Sequence, residues 1–268
     1  MRIKSISLLL GMMLMATSAL AADYPKAIQG AVKAGLKVVA DFDTPAGLKG
    51  WVMQQGTQYS IVYTTADGKF LMTGVMVDED GKNLSAEYAQ KYIPKPDYTA
   101  AYKELDSAVF FTEGAKDDKN MIYVFFDPNC IFCHMFWKAV QPYEKAGLQV
   151  RWIPVAFLKK DSAAKAVALM TAKDPAASMA INMSKFNKDD ESGGIDAAVN
   201  PSEELLEKIR ANGVLMDKFS SSGTPTIAWK DKDGKVNAVS GFPRLSALPA
   251  MTGLPEQKID DPDFARFK

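Results

Sequence analysis

All of the cysteine in this 268-residue chain lies in one four-residue stretch, Cys130-Ile131-Phe132-Cys133, directly behind the apolar run Met121-Ile122-Tyr123-Val124-Phe125-Phe126. A continuous run of that kind reads as a strand buried on both faces. From about Cys130 to Lys145 the pattern reads as a helix, perturbed by Pro142. Two cysteines three apart on a first helical turn bring their sulfurs to one face, close enough to bridge. The helix N-terminus adds partial positive charge and free N–H groups, which favour a thiolate on the first cysteine. The motif therefore reads as a redox dithiol, with Cys130 attacking and Cys133 resolving the mixed disulfide. A passive bridge is the weaker reading, because closing a four-residue loop removes little entropy from the unfolded chain. A sharper rival stays open. His134, the only histidine, completes Cys-x-x-Cys-His, the attachment signature of c-type haem.

Two cysteines and one histidine cannot supply the four ligands of a structural zinc site, so no metal is expected. Lys and Arg total 32, as do Asp and Glu, and that balance argues against a nucleic-acid partner. At the N-terminus, Arg2 and Lys4 precede an apolar run from Ile6 to Leu20, and Ala19-Leu20-Ala21 offers small residues for a peptidase. Residues 1–21 thus read as a cleaved secretory signal, placing the mature chain where disulfides can persist.

The remainder divides in two. A short helix is expected from Tyr24 to Leu36, then strands at Lys37 to Phe42, Leu48 to Met53, Tyr59 to Thr64 and Phe70 to Val77. Asp67-Gly68 and Asp80-Gly81 mark tight turns. Residues 22–86 so read as a small α+β domain too thin to bury its own faces, for which association with a second copy is expected. A broken linker helix is read over 87–113: Ser85 is the expected cap of its first piece, Pro94 and Pro96 interrupt it, and Asp97 caps a second piece. Residues 114–268 alternate strand and helix. A strand from Leu148 to Phe157 precedes a helical insert over about 160–220, one helix of which starts at Asn200-Pro201-Ser202-Glu203 with Asn200 as cap. A hairpin turns at Asp233-Gly234, a short helix includes Leu245 to Met251, and Pro255 to Lys268 reads as a loose tail. Strand, helix, strand, helical insert, hairpin and helix together give the thioredoxin-like order of an α/β domain.

At the entry to that hairpin stands Gly223-Thr224-Pro225-Thr226. Alone it carries little, since about one X-Pro bond in twenty is cis in folded proteins. Paired with the Cys130–Cys133 motif it becomes a candidate substrate-binding loop. Ile131, Phe132, His134 and Asp127 are candidate modulators of the dithiol. A cationic His134 would favour the thiolate, and Asp127 would either shape the turn into the helix or take a proton from Cys133.

With both motifs in place, the chain resembles the DsbC/DsbG family of periplasmic disulfide isomerases, nearest its DsbG branch. The resemblance rests on Phe126-Asp127-Pro128-Asn129-Cys130 with Phe136-Trp137, on Ala172-Lys173-Asp174-Pro175-Ala176, and on Leu215-Met216-Asp217 ahead of Thr224-Pro225. Asp67-Gly68-Lys69 and Gly81-Lys82-Asn83-Leu84-Ser85 extend it into the first domain. It implies a V-shaped homodimer built from a cystatin-like dimerisation domain, a linker helix and a thioredoxin-like domain with a helical insert. It also implies that Thr224-Pro225 is the cis-proline loop opposite the dithiol, where an extended substrate pairs with the Thr224 backbone. No cofactor is implied. The implied partners are misfolded or oxidised secreted proteins and a membrane reductase of the DsbD type, and the implied location is the periplasm. Two departures stand out: Ile131-Phe132 replaces the usual Pro-Tyr, and Val124 stands where thioredoxin carries a buried carboxylate.

The leading expectation is a thiol-disulfide isomerase or reductase. A DsbA-like oxidase shares the chemistry but should be held oxidised. A substrate-holding chaperone would survive Cys130→Ser, and a c-type cytochrome would be coloured.

Overall fold

The computed structural model describes residues 24–56, 58–221 and 223–267, so the expected signal segment lies outside the described residues. The chain divides between Lys95 and Pro96 into two units, each described by itself.

In the first unit, α1 (Lys26–Lys33) precedes an antiparallel sheet of β1 (Lys37–Asp43), β2 (Lys49–Gln55), β3 (Gln58–Thr64) and β4 (Leu71–Thr73), in that spatial order. Period-two alternation along β2 sends its side chains to opposite faces. Trp51 and Met53 pack with Ile28 of α1, while Val52 packs with Phe42 and Tyr63. That second face is covered by α2 (Leu84–Tyr92), whose Tyr92 ring stacks on Phe42 at 4.5 Å. Gly50 is required where it stands, since a Cβ there would fall 2.2 Å from the Phe42 ring.

Two expectations change here. The strand read over Phe70 to Val77 shrinks to the three exposed residues of β4. Ser85 does not cap α2: Asn83 does, accepting from Ala86 N, and the Ser85 hydroxyl instead joins the Tyr63 hydroxyl and Met76 N.

The second unit opens with α3 (Thr99–Glu104), where Asp97 accepts from Thr99 N as expected, and a 3-10 turn to Ser107. Its sheet comprises β5 (Phe111–Gly114), β6 (Met121–Phe126), β7 (Gln149–Pro154), β8 (Thr226–Lys230) and β9 (Val236–Ser240). The spatial order is β5-β7-β6-β8-β9, with β6 and β7 parallel and every other pair antiparallel. Between β6 and β7 runs α4 (Ile131–Lys145); between β7 and β8 lie α5 (Ser162–Thr171), α6 (Pro175–Ser184) and α7 (Glu203–Asp217). A last helix, α8 (Leu248–Thr252), follows the hairpin.

Strand β6 is apolar throughout because it has a core on each side. Ile122, Val124 and Phe126 join the α4 and α8 layer, and Tyr123 and Phe125 join Tyr102, Met216 and Phe219 on the other. Edge strand β5 is too short to stand out from its sequence. The helix expected from Asn200 begins at Glu203 after Ser202, because Asn200 takes φ +53° and turns the chain instead. The expected loose tail is packed: residues 262–267 form a 3-10 helix, and Phe264 is buried against Phe242 at 5.8 Å.

Candidate active site

The apolar strand β6 ends at Phe126 and delivers the next four residues to the N-terminus of α4. There Cys130 is the N-cap, and its sulfur does what a capping oxygen does, accepting from Cys133 N at 3.2 Å. The Cys130 thiol also donates to Thr224 O at 3.3 Å. Both thiols are free of any bridge, and both are buried, Cys130 with 3% of its surface exposed and Cys133 with none.

The two differ electrostatically. Hydrogen bonding from Cys133 holds the Cys130 thiol below its ordinary value, against burial and the nearby Asp127 charge, which push it up. Burial drives Cys133 well above the ordinary value, and the Cys130 sulfur beside it works the same way. The Thr224 hydroxyl has no partner at hydrogen-bond geometry, yet it lies near enough to both sulfurs to lower each. The arrangement therefore offers one thiolate-prone sulfur and one held as thiol, the asymmetry that a two-step exchange needs.

Thr224 reaches this position through the turn into β8, where the Thr224–Pro225 bond is cis. Ser221, Gly223 and Thr226 fix that turn: the Thr226 hydroxyl donates to Gly223 O at 2.6 Å, and the hydroxyls of Ser221 and Thr226 lie 2.6 Å apart.

The remaining candidates separate. Phe132 is exposed and Ile131 half-buried beside the dithiol. Asp127 is wholly buried and fully engaged. One oxygen accepts from Asn129 N and the Ser162 hydroxyl, the other from Phe157 N and Leu158 N, at 2.8–3.0 Å. Its carboxylate so ties the turn before Cys130 to the loop after β7. His134 lies buried against Phe186, ring centroids 4.9 Å apart, with neither ring nitrogen hydrogen-bonded. Burial first, then Lys138, lowers its pKa, which works against the cation that would favour the thiolate. Shape speaks against the haem alternative, because Cys133 has no exposed surface and belongs to the apolar core that includes α4.

The sequence reading missed a buried polar network around Asn129, drawn from the insert: Ser162, Lys165, Asn182 and Ser192. Its one visible signal was a lysine amid the apolar stretch Ala163 to Met170. Among the described residues no cluster of three or more His, Cys, Asp or Glu suits a metal.

Comparison with known proteins agrees with this geometry. Residues 111–251 match the thioredoxin-like domain family, and residues 16–86 match the disulfide bond isomerase protein N-terminal domain. The thiol:disulfide interchange protein DsbG of Pseudomonas aeruginosa is 29% identical over 238 residues, covering 87% of this chain and 90% of the relative. DsbG of Escherichia coli is 29% identical over 239 residues, covering 88% and 94%. DsbC of Pasteurella multocida is 31% identical over 177 residues, covering 65% and 71%. A thioredoxin-like domain behind that N-terminal domain, with relatives aligned across most of the chain, makes this protein a thiol-disulfide oxidoreductase belonging to the DsbC/DsbG family of disulfide isomerases.

Proposed function

We propose that the protein isomerises or reduces non-native disulfides of secreted proteins in the periplasm, working as a homodimer through residues 22–86. The observation that carries the reading is the inequality of the two thiols, one capping a helix and drawn toward thiolate, the other sealed in the core. The Cys130 thiolate attacks one sulfur of a substrate disulfide. That S–S bond breaks, a mixed disulfide forms, and the departing sulfur leaves as a thiolate that takes up a proton. If another substrate thiolate then attacks the sulfur bound to Cys130, the substrate is rearranged with no net oxidation. If Cys133 loses its proton and attacks Cys130, the substrate leaves reduced and the enzyme is left bridged, to be reduced by a membrane partner of the DsbD type. A sulfenic acid on a substrate cysteine enters the same cycle, releasing water as the mixed disulfide forms.

The Thr224 carbonyl meets the Cys130 sulfur from the β8 side, which supports Thr224-Pro225 as the backbone edge with which an extended substrate would pair once it displaces that contact, and Phe132 of the motif is exposed. The test is refolding of a scrambled disulfide substrate. Cys130→Ser should abolish turnover, and Cys133→Ser should accumulate mixed disulfides at Cys130. Retained isomerisation in Cys130→Ser would refute the assignment and leave a substrate-holding role. A dithiol found bridged in the periplasm would favour an oxidase. A chain beginning at Pro96 should be monomeric, keep its exchange chemistry and lose isomerisation.

A further inference from the structure

Disulfide exchange makes no demand for a lysine in the interior, yet Lys165 of α5 keeps only 5% of its surface. Lysine is almost never buried without partners, and here four oxygens surround the ammonium. Lys165 Nζ donates to Asn129 Oδ1 at 3.0 Å, to the Ser192 hydroxyl at 2.9 Å and to Gly193 O at 2.9 Å, and pairs with Asp161 at 3.1 Å. Asn129 is saturated in its turn. Its Oδ1 also accepts from Gly193 N at 3.0 Å, and its Nδ2 donates to Asp161 at 2.9 Å and to the Ser162 hydroxyl at 3.0 Å. Asn182 of α6 completes the clamp by donating to Pro128 O at 3.0 Å.

We infer that Lys165 is a positioning residue for the dithiol: acting through Asn129, it holds the peptide that carries Cys130 so that the sulfur stays on the Cys133 N–H. The placement supports this. Burying an ammonium is costly unless its hydrogen bonds are used, and an ion pair with the half-exposed Asp161 alone needs no burial. What burial achieves is contact with the side chain immediately before Cys130. Asn129 can offer its oxygen to Lys165 and its amide to Asp161 and Ser162 in one orientation only, so its backbone, and with it Cys130, is fixed. The helical insert thereby acts on the chemistry without touching substrate. Without Lys165, Asn129 keeps only uncharged donors on its oxygen, Gly193 N at 3.0 Å and the Ser192 hydroxyl at 3.4 Å, the turn loosens, and the Cys130 sulfur spends less time on Cys133 N.

This rests on Cys130 being the attacking thiol, and the experiment separates the two ideas. The reduced full mature chain is titrated by thiolate absorbance and equilibrated with glutathione, for the parent, for Lys165→Met, and for Lys208→Met as an exposed charge-loss control. Lys165→Met is expected to raise the Cys130 pKa by about one unit, about tenfold less thiolate below that pKa. The glutathione equilibrium should move toward the bridged form by a similar factor, and Lys208→Met should match the parent. A Lys165→Met protein that folds and titrates as the parent does overturns the inference. Should that variant fail to fold, Asn129→Ala cuts the same link from the side of the turn, with Lys165 still paired to Asp161, and an unchanged titration there overturns it equally. A parent with no low-pKa thiol at Cys130 would instead remove the reading of the site itself.

Discussion

Trp152 donates its indole N–H to Glu113 at 2.9 Å, and Trp137 reaches the same carboxyl from α4 at 3.2 Å, so two indoles hold one acid inside the sheet layer. Burial nevertheless raises Glu113 above the ordinary carboxylate range. Glu144, at the far end of α4, is pushed up to about 9 by burial first and by Glu113 second, with only Gln141 donating to it.

A carboxyl whose folded pKa is raised gives stability that is full below the unfolded value and is lost as pH rises through the window to the folded value. For Glu144 that window runs from 4.5 to about 9. Glu144→Gln is therefore expected to stabilise the protein increasingly as pH rises from 4.5 toward about 9, by at most roughly 1.4 kcal/mol per pH unit. Urea unfolding at pH 5 and pH 8 checks it, and a gain that is equal at both contradicts the account.

The packed tail predicts its own cost. Phe264 is 1% exposed, between Phe242 and the Lys138 ammonium, and Lys138 also pairs with Asp261 and Asp263. Phe264→Ala should lose about 3 kcal/mol. A loss under about 0.5 kcal/mol in denaturant titration would mean that the tail detaches in solution.

Gly193 sits where the insert meets the redox turn. A Cβ there would lie 2.2 Å from Asn182 Oδ1 and 2.4 Å from Pro128 O, and the second is backbone that cannot swing away. Gly193→Ala is expected to destabilise by about 1–3 kcal/mol and to slow alkylation at Cys130. Equal melting points for parent and variant would count against the clamp.

The thiols themselves should alkylate in order. In the reduced protein Cys130 should react with iodoacetamide at pH values below the ordinary thiol range, while Cys133 stays unmodified until the fold opens. Peptide mapping of partly alkylated protein reads this directly, and faster labelling of Cys133 would reverse the assignment.

The dithiol and its loop were legible because their signals are local. An apolar run entering Cys130-Ile131-Phe132-Cys133, and a proline opening a hairpin, need no knowledge of distant residues. The same is true of β6, whose unbroken hydrophobicity announced two cores. What escaped depended on partners far along the chain. Phe264 looked like tail because Phe242 and α4 were not visible beside it. Ser85 looked like a cap, and only the fold shows Tyr63 and Met76 taking its hydroxyl. Lys165 meets Asn129 across 36 positions, so the helix pattern alone showed just an interrupted apolar face.

The contact between Cys130 and Thr224 spans 94 positions. A chain emerging N-terminus first exposes both sulfurs long before β8 arrives to cover them, and closing so long a loop comes late in folding. Until then the thiols have no fixed Thr224 beside them and are open to capture by any oxidant in the compartment. A thiol-disulfide oxidoreductase of this topology thus passes through an interval in which its own two sulfurs depend on the surrounding redox conditions to stay reduced.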